Sequence, residues 1–290
     1  MDQRIIDLYD DFTHGSMSRR KFLDRLTTLV GSAAAATALL PLLQSDYAKA
    51  ATVAENDPRL AIDKISYDSP KGKINAFLAR PKAKGKRPTV IVIHQNRGLN
   101  PHIQDVARRY AVEGYLALAP DLLSVAGGTP ANDDLARDLH AKANKADMLA
   151  AAVAAVAFAK AHAESNGKVG AVGFCYGGGV VNAMAVASPD LSAGVAYYGA
   201  QQPAAKVPSI RAALLLHYAG LDQRVNAGIA AYEAALKANQ KTYTIHMYPN
   251  VNHAFSDDTG SRYDKAATDL AWGRTLAFFK QHLGAPPNAA

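Results

Sequence analysis

The chain has 290 residues, 49% of them hydrophobic, enough for one large core, and no shift in composition after about residue 57 marks a second domain. Its net charge of +7 is scattered through loops and helix faces rather than gathered into a basic stripe interleaved with aromatics, which argues against a nucleic-acid-binding surface. A single cysteine rules out an internal disulfide, and the Cys/His spacings of a structural zinc site are missing, so Cys175 is either inert core or reactive.

Residues 1–50 differ from the rest. Ser18-Arg19-Arg20-Lys21-Phe22-Leu23 precedes a moderately apolar run from Leu26 to Leu43, followed by the small-x-small pattern Ala48-Lys49-Ala50. This resembles a twin-arginine export signal, and implies the Tat export machinery as a partner and a periplasmic mature protein with no stable membrane association. Gly31, Ser32, Thr37 and Pro41 lower the run's hydrophobicity below that of a stable span. An uncleaved membrane anchor and an ordinary cytoplasmic helix are the alternatives. Residues 51–60 are then a short mature N-terminal segment, and 61–290 the catalytic domain.

From Ala61 onward strand-like runs alternate with helix-period segments, the pattern of a mostly parallel sheet covered on both faces, an α/β class. Ile62 to Tyr67 and Lys73 to Ala79 read as an opening antiparallel pair around Ser69-Pro70-Lys71-Gly72. Thr89 to His94 is nearly continuous in β-branched residues, as a strand buried on both faces should be. A helix is expected over Pro101 to Glu113 and a strand over Tyr115 to Ala119. The looser stretch Asp121 to Pro130 precedes an Ala-rich helical region reaching about His162. Lys168 to Gly173, Leu191 to Tyr198, Ile210 to Tyr218 and Thr242 to Tyr248 read as four more strands, and Tyr263 to His282 as a last helix.

The strongest chemical signal is Val172-Gly173-Phe174-Cys175-Tyr176-Gly177-Gly178-Gly179, where a short apolar strand runs through Gly-x-Cys-x-Gly into a helix-compatible segment. This is the form of a nucleophile elbow with cysteine in the serine position. The glycines suit a turn too tight for β-carbons, and a helix N-terminus favours the thiolate. The elbow also needs an acid and a base, in that chain order. Asp222 follows a strand ending near Tyr218, and His253 follows the next strand, ending near Tyr248. Both loops open on the same sheet edge as the elbow. His217, His246 and His282 sit within elements and read as packing or surface, and Asp257 and Asp258 as caps of the histidine loop.

Together with Tyr197-Tyr198-Gly199, Gly220-Leu221-Asp222 and Asn252-His253-Ala254-Phe255, these motifs resemble the dienelactone hydrolase family over Ile62 to Leu283. The resemblance implies an eight-stranded α/β-hydrolase sheet with helices on both faces and a Cys175, His253, Asp222 triad. It also implies hydrolysis of a small ester or enol lactone through a thioester, with no cofactor or metal. The oxyanion hole would fall on the backbone N–H groups of Asn96 and Tyr176. There are three departures from the family pattern. A glutamate that assists cysteine ionisation is Gln95 here, and two arginines that anchor the substrate carboxylate fall on Val125 and Asp257. Gln95 and Arg97 are therefore the candidate substrate-binding residues, with Arg97 either a replacement anion anchor or a surface arginine paired with a carboxylate. A broad carboxylesterase, an acyltransferase and a non-catalytic small-molecule binding protein are the alternatives on the same scaffold.

Overall fold

A computed structural model describes residues 1–15, 17–47 and 52–287. Eight strands form one sheet: β1 (Leu60–Ser69), β2 (Gly72–Pro81), β3 (Arg87–Ile93), β4 (Leu116–Pro120), β5 (Ser165–Phe174), β6 (Ala193–Tyr197), β7 (Ala213–Ala219) and β8 (Tyr243–Tyr248). Their spatial order is β1-β2-β4-β3-β5-β6-β7-β8. β1 pairs antiparallel with β2 and β2 with β4, and every later pairing is parallel. From β3 the chain winds outward to one edge and from β5 to the other. The crevice for a ligand therefore lies at the carboxyl ends of β3 and β5, where the strand order reverses.

The strands were legible because the sheet is covered on both faces. Every residue of β3 is buried, and alternate side chains serve opposite layers. Ile91 and Ile93 pack with Met148, Ala151 and Ala155, while Val90 and Val92 pack with Ile103, Tyr110 and Phe279. The first layer carries α6 (Lys145–Ala161), α7 (Tyr176–Ala187) and α9 (Ile229–Ala238), and the second carries α4 (Pro101–Val112) and α10 (Lys265–Leu283). The Ala-rich region resolves into two helices, α5 (Asp133–Lys142) and α6, because Asn144 caps a new helix through its side chain. β7 begins three residues later than the apolar run because a 3-10 turn with Pro208 occupies Ala204–Ser209. A one-turn α8 (Gln223–Asn226) follows β7.

The largest departure from the sequence reading is at the N-terminus. Residues 1–47 form α1 (Gln3–His14), α2 (Arg19–Val30) and α3 (Ala33–Leu43), with a small core of their own. Phe12 stacks on Phe22 at 4.5 Å between ring centroids, and Leu26 is fully buried. The run from Leu26 to Leu43 is not one helix. Gly31 adopts φ 84°, a left-handed cap, and α2 and α3 meet at 113°. Among the described residues no single helix is long and apolar enough to cross a membrane, although the bent pair passes by length and composition. The expected cleavage pattern, Ala48-Lys49-Ala50, lies outside the described residues.

Candidate active site

Cys175 joins β5 to α7 with φ 57° and ψ −118°, a backbone that side chains rarely adopt. Neighbouring glycines make the turn possible. A β-carbon on Gly173 would stand 2.1 Å from the Gly177 carbonyl oxygen, and one on Gly177 would stand 2.4 Å from that of Ile93. The second contact shows how close α7 comes to the end of β3. It brings Tyr176, whose N–H has no acceptor within its own helix, up to the loop that carries Gln95, Asn96 and Arg97. The Cys175 N–H donates to the Tyr197 carbonyl at 3.0 Å, tying the elbow to β6.

Asp222 and His253 stand on the loops after β7 and β8, as their sequence positions require. Asp222 Oδ2 accepts from His253 Nδ1 at 2.5 Å, and its Oδ1 caps α8 by accepting from the Val225 N–H at 3.1 Å. Both side chains are buried. His253 lies between residues of positive φ, Asn250 at 62° and Ala254 at 66°. The Tyr198 ring packs 4.9 Å from its imidazole and is held by a Ser256 hydroxyl at 2.7 Å. His253 Nε2 makes no hydrogen bond among the described residues and is free to serve the reacting atoms.

The sulfur has a second neighbour that sequence reasoning missed. His14, the last residue of α1, places Nε2 3.0 Å from Cys175 Sγ. Its ring meets that of His253 edge-on at 4.6 Å. Sγ and one ring nitrogen from each histidine lie within 4.8 Å of one another. A second grouping, His102 with Asp257 and Asp258, is occupied by ion pairs of the fold, including Arg109 to Asp258 at 2.5 Å.

The electrostatics follow from this crowding. Burial pushes the Cys175 thiol up, but the His14 and His253 imidazoles outweigh it and hold the group well below its ordinary value. Burial pulls His253 down, yet the sulfur and the Asp222 carboxylate bring it up to about 9. Burial works the same way on Asp222, raising it, and the bond from His253 returns it below its ordinary value. His14 is lowered, chiefly by burial, which leaves its imidazole neutral. Together these neighbours favour a thiolate at Cys175.

A cleft of about 780 Å³ opens on these groups, walled by His14, Asn96, Cys175, Tyr176, Tyr198 and His253. Four cations line it, Arg19, Arg137, Lys145 and Arg224, against one carboxylate, Asp138. Gln95 and Arg97 do not line that cleft but a smaller space of about 20 Å³ against α1, which His14, Cys175 and His253 also border. The Gln95 amide donates to Asp257 at 3.3 Å rather than reaching the thiol. Arg97 is half-buried, donates to the Tyr9 hydroxyl at 3.3 Å and lies 3.6 Å from an Asp133 carboxylate oxygen, so its charge is already answered within the protein. Asn96 borders both spaces, and its side-chain amide donates to the Thr13 carbonyl at 2.7 Å. A signal for α1 did exist in the sequence: Asp2 caps it, and Ile5, Leu8, Tyr9 and Phe12 recur at helical spacing.

Comparison with known proteins agrees with this architecture. A family model described as the dienelactone hydrolase family matches residues 74–283, and one described as YqhI-like matches residues 1–31. A protein of Methylorubrum extorquens, provisionally named a carboxymethylenebutenolidase, is 30% identical over 282 residues, covering 92% of this chain and 96% of its own. That coverage extends into the first fifty residues. A relative of the same provisional name from Escherichia coli O157:H7 is 32% identical over 262 residues, covering 83% of this chain and 97% of its own. A crystal structure from Klebsiella pneumoniae, provisionally titled a dienelactone hydrolase, superposes with a TM-score of 0.70 at 31% identity, covering 77% of this chain and 99% of that one. The match spans the sheet and all three loops that meet at Cys175, and on that ground the chain belongs to the dienelactone hydrolase family of carboxylic ester hydrolases.

Proposed function

We propose that the protein hydrolyses small esters or lactones through Cys175 as nucleophile and a thioester acyl-enzyme. The observation that carries this reading is the strained elbow that sets the Cys175 sulfur among imidazoles, with its pKa held down by them. The thiolate attacks the acyl carbon, and backbone N–H groups of Asn96 and Tyr176 receive the developing oxyanion. Water activated at His253, with Asp222 orienting the ring, then releases the acid. Arg19 and Arg137 are ion-paired, whereas Lys145 and Arg224 line the cleft with no ion pair among the described residues, and these two favour substrates bearing a carboxylate near the scissile bond.

The test is a panel of p-nitrophenyl esters and simple lactones, neutral and carboxylate-bearing, with intact-protein mass measured during turnover. The expected result is a single acyl adduct on the Cys175 peptide, and higher kcat/KM for the anionic members. Turnover with no adduct on that peptide counts against the thioester. Acyl release that stops at one equivalent identifies a binding protein, and transfer of the acyl group to an added alcohol in preference to water identifies an acyltransferase.

Export to the periplasm is a separate proposal, supported by the Ser18 to Leu23 motif. In the folded chain the same residues have structural partners: the Ser18 side chain caps α2, and Arg19 is paired with Asp134. Replacing Arg19 and Arg20 together by Lys keeps the charge but removes the guanidinium pair. The expected outcome is loss of the protein from the periplasmic fraction, whereas undiminished export of the double-Lys protein sinks the proposal. N-terminal sequencing of the exported species reads whether α1 stays with the domain.

A further inference from the structure

We infer that His14, carried by the N-terminal helix, is a second catalytic base of the uncleaved enzyme and takes the thiol proton of Cys175. The inference rests on the cysteine reading above and assigns a residue to it from outside the hydrolase core. The geometry defines which way the proton moves. His14 Nδ1 lies 3.0 Å from the Asp10 backbone carbonyl, an acceptor only, so Nδ1 carries the hydrogen in the neutral ring. Nε2 is then a lone pair, and it is aimed at Sγ from 3.0 Å. The Asp10 carboxylate, 3.8 Å from Nδ1 and itself paired with Arg262, stands ready to stabilise the imidazolium. Asp10 also lies within 4.8 Å of the Asp222 and His253 ligand atoms, so its carboxylate sits beside both imidazoles. The groups facing His14 are Asp10 on its own helix, Cys175 at the elbow, and His253 and Arg224 on the loops beyond.

Two further observations separate a working residue from a plug. The cleft of about 780 Å³ reaches Cys175 and His253 with α1 in place, so a substrate can enter without dislodging it. The helix is also locked onto the domain at several points. Asn96 donates to the Thr13 carbonyl, Arg97 to the Tyr9 hydroxyl, Gln3 to the Asn252 side chain at 2.7 Å, and the Arg137 guanidinium lies 4.3 Å over the Phe12 ring. His14 also fills the need left by Gln95, whose amide is turned away to Asp257 and cannot accept a proton in any case.

The step balances within the site. The thiol proton passes to His14 Nε2, the thiolate forms the carbon–sulfur bond, and the carbonyl π pair moves onto oxygen. On collapse the bond to the leaving oxygen breaks, and that oxygen takes the proton from the His14 imidazolium. Water then attacks the thioester as His253 removes its proton. The carbon–sulfur bond breaks, the acid departs, and the proton held by His253 returns to sulfur.

The test compares His14→Gln and His14→Ala with the full-length parent in two measurements, kcat/KM for an activated ester and the rate of iodoacetamide labelling of Cys175 across pH. His14→Gln keeps a polar side chain of similar reach but cannot take up a proton. It is expected to lower kcat/KM by ~100-fold, the low end of general acid–base assistance, and to move the labelling midpoint upward. Added imidazole should restore part of the His14→Ala activity, a rescue that simple loss of packing would not allow. Labelling profiles that overlay the parent's, or turnover that rises when His14 is removed, overturn the inference, the latter by showing that α1 blocks the site. Cys175→Ala separates the two claims. If it still turns over ester, the nucleophile reading fails, and with it the catalytic role of His14, whatever the labelling shows. If Cys175→Ala is inactive while His14→Gln matches the parent, only the second base is lost.

Discussion

Cys175→Ala is expected to abolish ester turnover and Cys175→Ser to lower kcat/KM by ~10⁴-fold or more, within the range seen when the nucleophile of a triad is removed. The serine result is the more informative of the two. The imidazoles that hold the Cys175 thiol well below its ordinary value act on a group that ionises near ~8.5 in water, whereas a serine hydroxyl lies far above that and stays neutral beside the same rings. The substituted oxygen is also smaller, so it stands farther from the carbonyl carbon and from His14 Nε2 than sulfur does. Thermal unfolding should change little, because the backbone strain at this position is held by Gly173 and Gly177 rather than by the side chain. Serine activity within ~10-fold of the parent would mean that this site does not depend on a thiolate.

Asp222→Asn is expected to lower kcat by ~10³–10⁴-fold with little loss of stability. The carboxylate has two separable jobs. Its Oδ1 caps α8, which an asparagine oxygen does equally well, so the cap survives. Its Oδ2 holds the N–H of His253 Nδ1 and supports the ring's positive charge. An amide turned to donate favours the other tautomer, with the proton on Nε2 where a base is needed, and it adds no charge in either orientation. Losing the carboxylate lowers the His253 pKa from about 9, because a cation that has lost its counter-charge releases its proton more easily. The acid limb of the rate profile, where His253 must lose its proton before it can act as base on water, should therefore move to lower pH. A variant with an unshifted limb and parental kcat would show that Asp222 only caps its helix.

That Cys175, Asp222 and His253 meet at one edge of the sheet was legible because each is announced locally. Gly173 and Gly177 mark a turn with no room for β-carbons, and Asp222 and His253 stand just past two apolar strands whose parallel pairing puts them on one edge. β3 was legible for a related reason, since burial on both faces leaves an uninterrupted β-branched run. What the sequence did not give up depends on contacts between distant segments. His14 is separated from Cys175 by 161 positions, and nothing in the first 50 residues says which groove an amphipathic helix will fill. The same residues also carry a leader-like motif. Gln95 and Arg97 were placed on the right loop, but side-chain direction decided their roles, and α1 supplies the partner that turns Arg97 inward.

Docking of α1 also sets an order of events during synthesis. Gln3 meets Asn252 and Asp10 meets Arg262, partners separated by 249 and 252 residues. The helix therefore cannot reach its seat until residue 262 has emerged from the ribosome. Contacts this long in sequence close late, after the local elements and the central sheet have formed. A nascent chain holding Cys175 but still lacking residue 262 has an elbow without its completed surroundings, so Cys175 comes into its final setting only after residue 262 has been made.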